Sequence, residues 1–166
     1  EMESLNQRLA TAEENLDNYL DTIGSMKDDE SRAKQQLEEV RQILKDSRFK
    51  LRTYNLPVIP RSYFVELKEA NEALKEIVYE LSKKPINIDV LNTRVDTGRD
   101  LALKLCSKTQ NMPKIAKLAE TAIVYGNRYR SKSDSLNDSL LQAEELFYNG
   151  DYSKSLNVTI NAINKV

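Results

Sequence analysis

Residues 2–54 carry an apolar side chain at nearly every first and fourth place of a seven-residue repeat. With Met2 at position a, the a residues are Met2, Leu9, Leu16, Ile23, Glu30, Leu37, Leu44 and Leu51. The d residues are Leu5, Ala12, Tyr19, Met26, Ala33, Val40, Ser47 and Tyr54. Only Glu30 and Ser47 interrupt the seam. A stripe of period 3.5 kept up for this long demands a helix that winds against other helices, because no sheet or isolated helix can bury it. At 1.5 Å per residue such a helix is about 80 Å long. Gly24 is its weakest interior point, costing about 1 kcal/mol against alanine.

Prolines punctuate the rest. Asn55-Leu56-Pro57-Val58-Ile59-Pro60 cannot be helical throughout, since each proline removes a donor and pushes its predecessor towards extended geometry. Ser62 is the expected cap of the next helix. A second seam follows in Tyr63, Leu67, Ala70, Leu74, Ile77 and Leu81, and resumes in phase beyond Pro85 with Ile88, Leu91, Val95, Gly98, Ala102, Leu105 and Met112. The unbroken phase predicts one long helix over 62–111, antiparallel to the first and kinked at Lys84-Pro85-Ile86-Asn87. Two helices in line are the alternative. Asn111-Met112-Pro113 reads as a reversal, with Pro113 in the first turn of a third helix over 114–130. Ser131-Lys132-Ser133-Asp134-Ser135 then ends that helix and caps another. Residues 143–156 resemble one unit of a tetratricopeptide repeat, with Gly150 at the turn and Tyr152 opening its second helix. A single copy cannot build a repeat array, so 134–166 reads as a helical hairpin packed on the bundle. The expectation is an all-α, elongated, antiparallel spectrin-like three-helix coiled-coil bundle (1–133) with a C-terminal helical hairpin (134–166).

Composition narrows the function. The chain has no histidine and one cysteine, Cys106, in the helical stretch Leu103-Lys104-Leu105-Cys106. The commonest general base and metal ligand is therefore missing, and Cys106 reads as a packing residue. Carboxylates alternate with lysine and arginine at helical spacing, as on a solvated face. No phosphate-binding glycine pattern occurs. We therefore expect no enzyme, cofactor or metal. A net charge of −1 argues against nucleic acid as partner. No run of about 18 apolar residues is present, so this segment is not expected to insert into a membrane. The heptad pattern is already in register at Glu1 and the last helix is still running at Val166, which suggests a piece of a longer chain.

One run stands out against this scaffold, Tyr125-Gly126-Asn127-Arg128-Tyr129-Arg130. Between residues 113 and 133 five bases (Lys114, Lys117, Arg128, Arg130, Lys132) face one acid, Glu120. Arginine and tyrosine offer large, rigid surfaces with polar tips, which suits protein contacts. The bland alternative is that the tyrosines are core and the arginines snorkel around them or complement the end of a helix dipole. Gly126 either admits a neighbouring helix or exposes backbone to a ligand. The candidate partner-binding residues are Tyr125, Asn127, Arg128, Tyr129 and Arg130.

The long heptad helix, Leu56-Pro57-Val58-Ile59-Pro60, Pro85-Ile86-Asn87-Ile88-Asp89, the Asn-Arg-Tyr-Arg run and Gly150-Asp151-Tyr152 occur in an order that resembles the C-terminal portion of the EzrA family of septation ring regulators. The resemblance covers essentially the whole chain. It implies a cytoplasmic rod of spectrin-like repeats on a protein anchored to the plasma membrane by one N-terminal helix and working at the division site. It also implies a non-enzymatic scaffold that binds the tubulin-like protein FtsZ and other division proteins and restrains misplaced rings. A homodimer is compatible with it. The family's QNR patch falls on Asn127 and Arg128, with Val124 in place of its glutamine. The competing reading is a coiled-coil module that binds curved membrane. That reading calls for a basic stripe, whereas residues 1–56 hold nine bases and twelve acids.

Overall fold

The computed structural model describes residues 1–166. It contains five α-helices and no strand: α1 (Met2–Thr53), α2 (Arg61–Ser82), α3 (Ile88–Asn127), α4 (Asp134–Tyr148) and α5 (Tyr152–Asn164). A short 3₁₀ turn, Arg130–Lys132, joins α3 to α4. The all-α bundle follows from the heptad pattern. Two helix boundaries differ from the sequence reading, and both concern prolines.

The stretch 62–111 is not one helix. It folds back at Lys83–Asn87, so that α2 and α3 lie side by side and antiparallel. Arg94 Nη1 meets Glu76 Oε2 at 2.9 Å, and Lys108 Nζ meets Glu66 Oε1 at 2.9 Å and Ser62 Oγ at 3.0 Å. Lys83 ends α2 in extended geometry, and the Asn87 side chain caps α3 by accepting from the Val90 N–H. Gly98 explains how close the two helices come: a Cβ there would sit 3.0 Å from Ile77 Cδ1. The seam keeps its phase across Pro85 because both helices turn their stripes towards the same core, so phase alone did not separate continuity from reversal.

Pro113, by contrast, breaks nothing. It lies inside the 40-residue helix α3. Its ring removes one backbone hydrogen bond, a loss offset here by packing on both sides of the site. Thr109, Met112 and Ala116 are all buried around it. Ser62 is likewise not the cap of α2. Pro60 holds that position, and the Ser62 hydroxyl accepts from Lys108 instead.

Helix α3 is therefore shared. Its first half packs with α1 and α2, and its second half packs with α4 and α5. One core cluster runs through both, from Val40, Leu44 and Leu51 by way of Leu105 and Met112 to Ala119, Phe147 and Tyr152. The two groups of helices are clipped together at the Leu56–Pro60 turn. The Val58 N–H donates to Tyr152 Oη at 3.2 Å, and the Tyr152 hydroxyl donates back to the Val58 carbonyl. Gly150, at φ +85°, closes α4 with hydrogen bonds from Gly150 N to Phe147 O and from Asp151 N to Leu146 O. Its missing side chain also makes room for Pro60, whose Cα would lie 2.9 Å from a Cβ.

The polar interruptions of the seams are handled individually. Glu30 pairs with Lys34 at 2.6 Å, and the buried Thr109 hydroxyl donates to the Leu105 carbonyl at 2.9 Å. The first half of α1 is different from everything else. Every residue from Glu1 to Asp28 is exposed, including seam residues Leu9, Leu16 and Ile23, while burial begins at Ala33.

Candidate functional site

The Tyr125–Arg130 run forms the last turn of α3 and the corner leading to α4. Helix α3 ends at Asn127, Arg128 caps it in helical geometry, and Ser133 caps α4 by accepting from the Leu136 N–H. The corner divides the candidate residues into two groups that a linear sequence cannot separate.

Three of them face inwards. Arg130 donates from Nε to Asn137 Oδ1 at 2.6 Å, and from Nη1 and Nη2 to the two Glu144 carboxylate oxygens at 2.7 and 3.5 Å. It also donates to Asn127 Oδ1 at 3.2 Å. The side chains of Arg130 and Glu144 are only 26% and 30% exposed. This fork is a tie between the corner and α4, the bidentate geometry for which arginine is suited. Tyr129 is half-buried against Leu136, Leu140 and Ala162. Gly126 is buried as well, and a Cβ on it would meet Leu140 Cδ2 at 2.9 Å and Ile163 Cδ1 at 3.6 Å. Of the two roles open to Gly126, the geometry shows close helix approach.

The other side faces solvent. Val124 and Tyr125 are 57% and 45% exposed. The Arg128 guanidinium lies 5.8 Å from the Tyr125 ring centroid, Tyr125 lies 5.5 Å from Tyr129, and Lys132 Nζ lies 4.9 Å over the Tyr129 ring. Two cations thus bracket a pair of aromatic rings, an arrangement in which each cation is attracted to a ring face. The Tyr125 hydroxyl is shifted above the usual tyrosine pKa, chiefly by hydrogen bonding with Tyr129, with Arg128 pulling the other way. Beside the rings is a cleft of about 260 Å³ lined by Tyr125, Tyr129, Lys132, Leu136, Ile163 and Val166. Leu118, 57% exposed and two turns back along α3, was not singled out by the sequence reading. Its spacing of seven from Tyr125 was the available signal.

No group of three or more histidine, cysteine, aspartate or glutamate side chains is placed to hold a metal ion, and no helix is long and apolar enough to cross a membrane. The molecule is a helical bundle that displays a cationic and aromatic surface at a helix corner. Comparison with known proteins agrees with the order of motifs. The family model for "Septation ring formation regulator, EzrA" matches residues 1–166, and the chain belongs to that family. Similar curated proteins carry the same name. The one from Bacillus licheniformis is 26% identical over 165 residues, which is 99% of this chain and 29% of the relative. One from a Geobacillus species (strain WCH70) is 31% identical over 134 residues, 81% of this chain and 24% of the relative. One from Listeria monocytogenes serotype 4a is 27% identical over 166 residues, again 99% of this chain and 29% of the relative. The chain thus spans less than a third of the length of these relatives. No solved structure matches.

Proposed function

We propose that this chain is a non-enzymatic scaffold segment of a bacterial cell-division regulator, one that binds FtsZ and other division proteins and restrains misplaced ring assembly. The family match along the whole chain supports the division role. The observation that carries the partner-binding role is the solvent-facing set Val124, Tyr125 and Arg128, whose side chains are not consumed by internal polar contacts as Arg130 is. Asn127, Tyr129 and Arg130 support that surface from beneath. The family relationship also motivates the cellular setting: the cytoplasmic face of the plasma membrane at the division site, on a protein whose anchor lies elsewhere.

Residues 1–133 act as a spectrin-like unit with the 134–166 hairpin packed on its end. The continuous core through α3 supports this division, because it makes the two parts mechanically one. The exposed seam of the first half of α1 has the pattern of a helix that enters a neighbouring unit of the rod, as α3 does within this chain. The reading is tested by co-sedimentation of the chain with polymerised FtsZ and by pull-down of other purified division proteins. Wild type should be retained by at least one of them, and Arg128→Glu should be retained less. Equal retention of both forms contradicts the assigned surface.

A further inference from the structure

The charge of the second helix group is lopsided. Helix α4 carries Asp134, Asp138, Glu144 and Glu145, whereas residues 152–166 contain Lys154 and Lys165 and no acid. The solvent face of the second half of α3 carries Lys114, Lys117 and Arg128, with Glu120 as the one acid between residues 113 and 133. None of Lys114, Lys117, Arg128 or Lys132 takes part in any of the molecule's ion pairs, although Arg130 beside them does. Those four cations therefore keep their full capacity for an external anion. Between them lie Leu118, Val124 and Tyr125, all substantially exposed, and the cleft where Tyr125 and Tyr129 face Ile163 and Val166. Lys114 to Arg128 spans about 21 Å of helix, the length of a short peptide rather than a whole domain face.

We propose that the α3–α5 face from Lys114 to Lys132 docks a short acidic peptide of a partner protein, with one bulky apolar side chain of that peptide seated in the cleft beside Tyr125. The proposal rests on the partner-binding reading above and adds the chemistry of the ligand. The peptide's carboxylates pair with Lys114 and Lys117 at one end and with Arg128 and Lys132 at the other. Its apolar side chains cover Leu118 and Tyr125, the combination of apolar anchor and charged rim that gives protein contacts their energy and register. Four cations on a convex helix face make a smaller charge cluster than the polybasic segments that hold proteins to anionic lipid.

The test is a random peptide library displayed on phage and selected against the intact chain, with anionic phosphatidylglycerol vesicles as a parallel probe. Enriched peptides should carry excess aspartate and glutamate together with a bulky apolar residue. Synthetic copies should bind wild type and lose at least about tenfold in affinity to Lys117→Glu/Arg128→Glu, as expected for loss of central charged contacts. Leu118→Asn should weaken them too, and both variants should melt like wild type because the three side chains are exposed. Enrichment of neutral or basic peptides, selected peptides indifferent to both variants, no enrichment, or binding to vesicles in place of peptides would each overturn the proposal. Failure of this experiment alongside retention by a folded division protein would reject the acidic-peptide ligand and leave the division-scaffold reading standing.

Discussion

Arg128 and Arg130 stand two residues apart and do different work. Arg130→Ala removes a half-buried fork to Glu144 and Asn137, so it should lower stability by about 1–2 kcal/mol, discounted for partial exposure. Arg128→Ala should change stability by less than about 0.5 kcal/mol, because no internal partner is lost. Chemical denaturation of the two variants checks the contrast, and equal shifts would mean the corner is misread. The basic and aromatic character of the run was legible in the sequence. Which arginine points outwards was not, since that depends on where α4 brings Glu144, fourteen residues further on. A second residue-level prediction concerns pH. Burial raises the Tyr63 and Tyr152 hydroxyls above the ordinary value of 10.0, with Arg48 and the Val58 backbone respectively pulling part of the way back. The unfolded chain ionises these phenols first, so their contribution is fully present below about pH 10 and is lost as pH rises through the folded values. Stability should therefore fall from pH 9 to pH 11, and Tyr152→Phe should flatten that fall. At pH 9 Tyr152→Phe should itself cost about 1 kcal/mol for the lost clip to Val58. Tyr63→Phe should cost less, because the buried Tyr63 hydroxyl has no protein partner. A pH slope unchanged in both variants would contradict the assignment.

At the scale of elements, helices and their faces were readable while their connections were not. The apolar stripes of α1, α2 and α3 were all visible as heptads, and Gly150 and Tyr152 marked the α4–α5 turn. The two prolines were assigned opposite fates to those observed. Local chemistry is the same at Pro85 and Pro113, so the difference comes from what packs around each. Lys83–Asn87 lies at the end of a helix pair, where the chain can leave the helix and Asn87 can recap it. Pro113 sits where α3 passes from one set of partners to the next and is held on both sides. The α4–α5 turn supplies the test of element geometry. Gly150→Ala combines a positive φ with a backbone contact at Pro60, and should destabilise by at least about 1–2 kcal/mol. A neutral Gly150→Ala would show that the hairpin does not dock on the Leu56–Pro60 turn.

On the scale of the whole molecule, one seam has two environments. Leu9 and Leu44 both occupy a positions of α1, but Leu44 is buried among α2 and α3 whereas Leu9 is open to solvent. Leu44→Ala should cost about 2–5 kcal/mol and Leu9→Ala under about 0.5 kcal/mol. Denaturation of the monomeric chain reads both. The sequence could not reveal this division, because the heptad states only that a partner is required and not which part of a chain supplies it. The same logic places the partner surface at the far end, where α3, α4 and α5 meet and the exposed cations gather. The most direct test of that placement is the position in dividing cells of the full-length protein carrying Arg128→Glu, compared with wild type and with Arg130→Lys. The account predicts that Arg128→Glu loses enrichment at midcell while its purified chain melts like wild type. Normal midcell enrichment of a folded Arg128→Glu protein would contradict it.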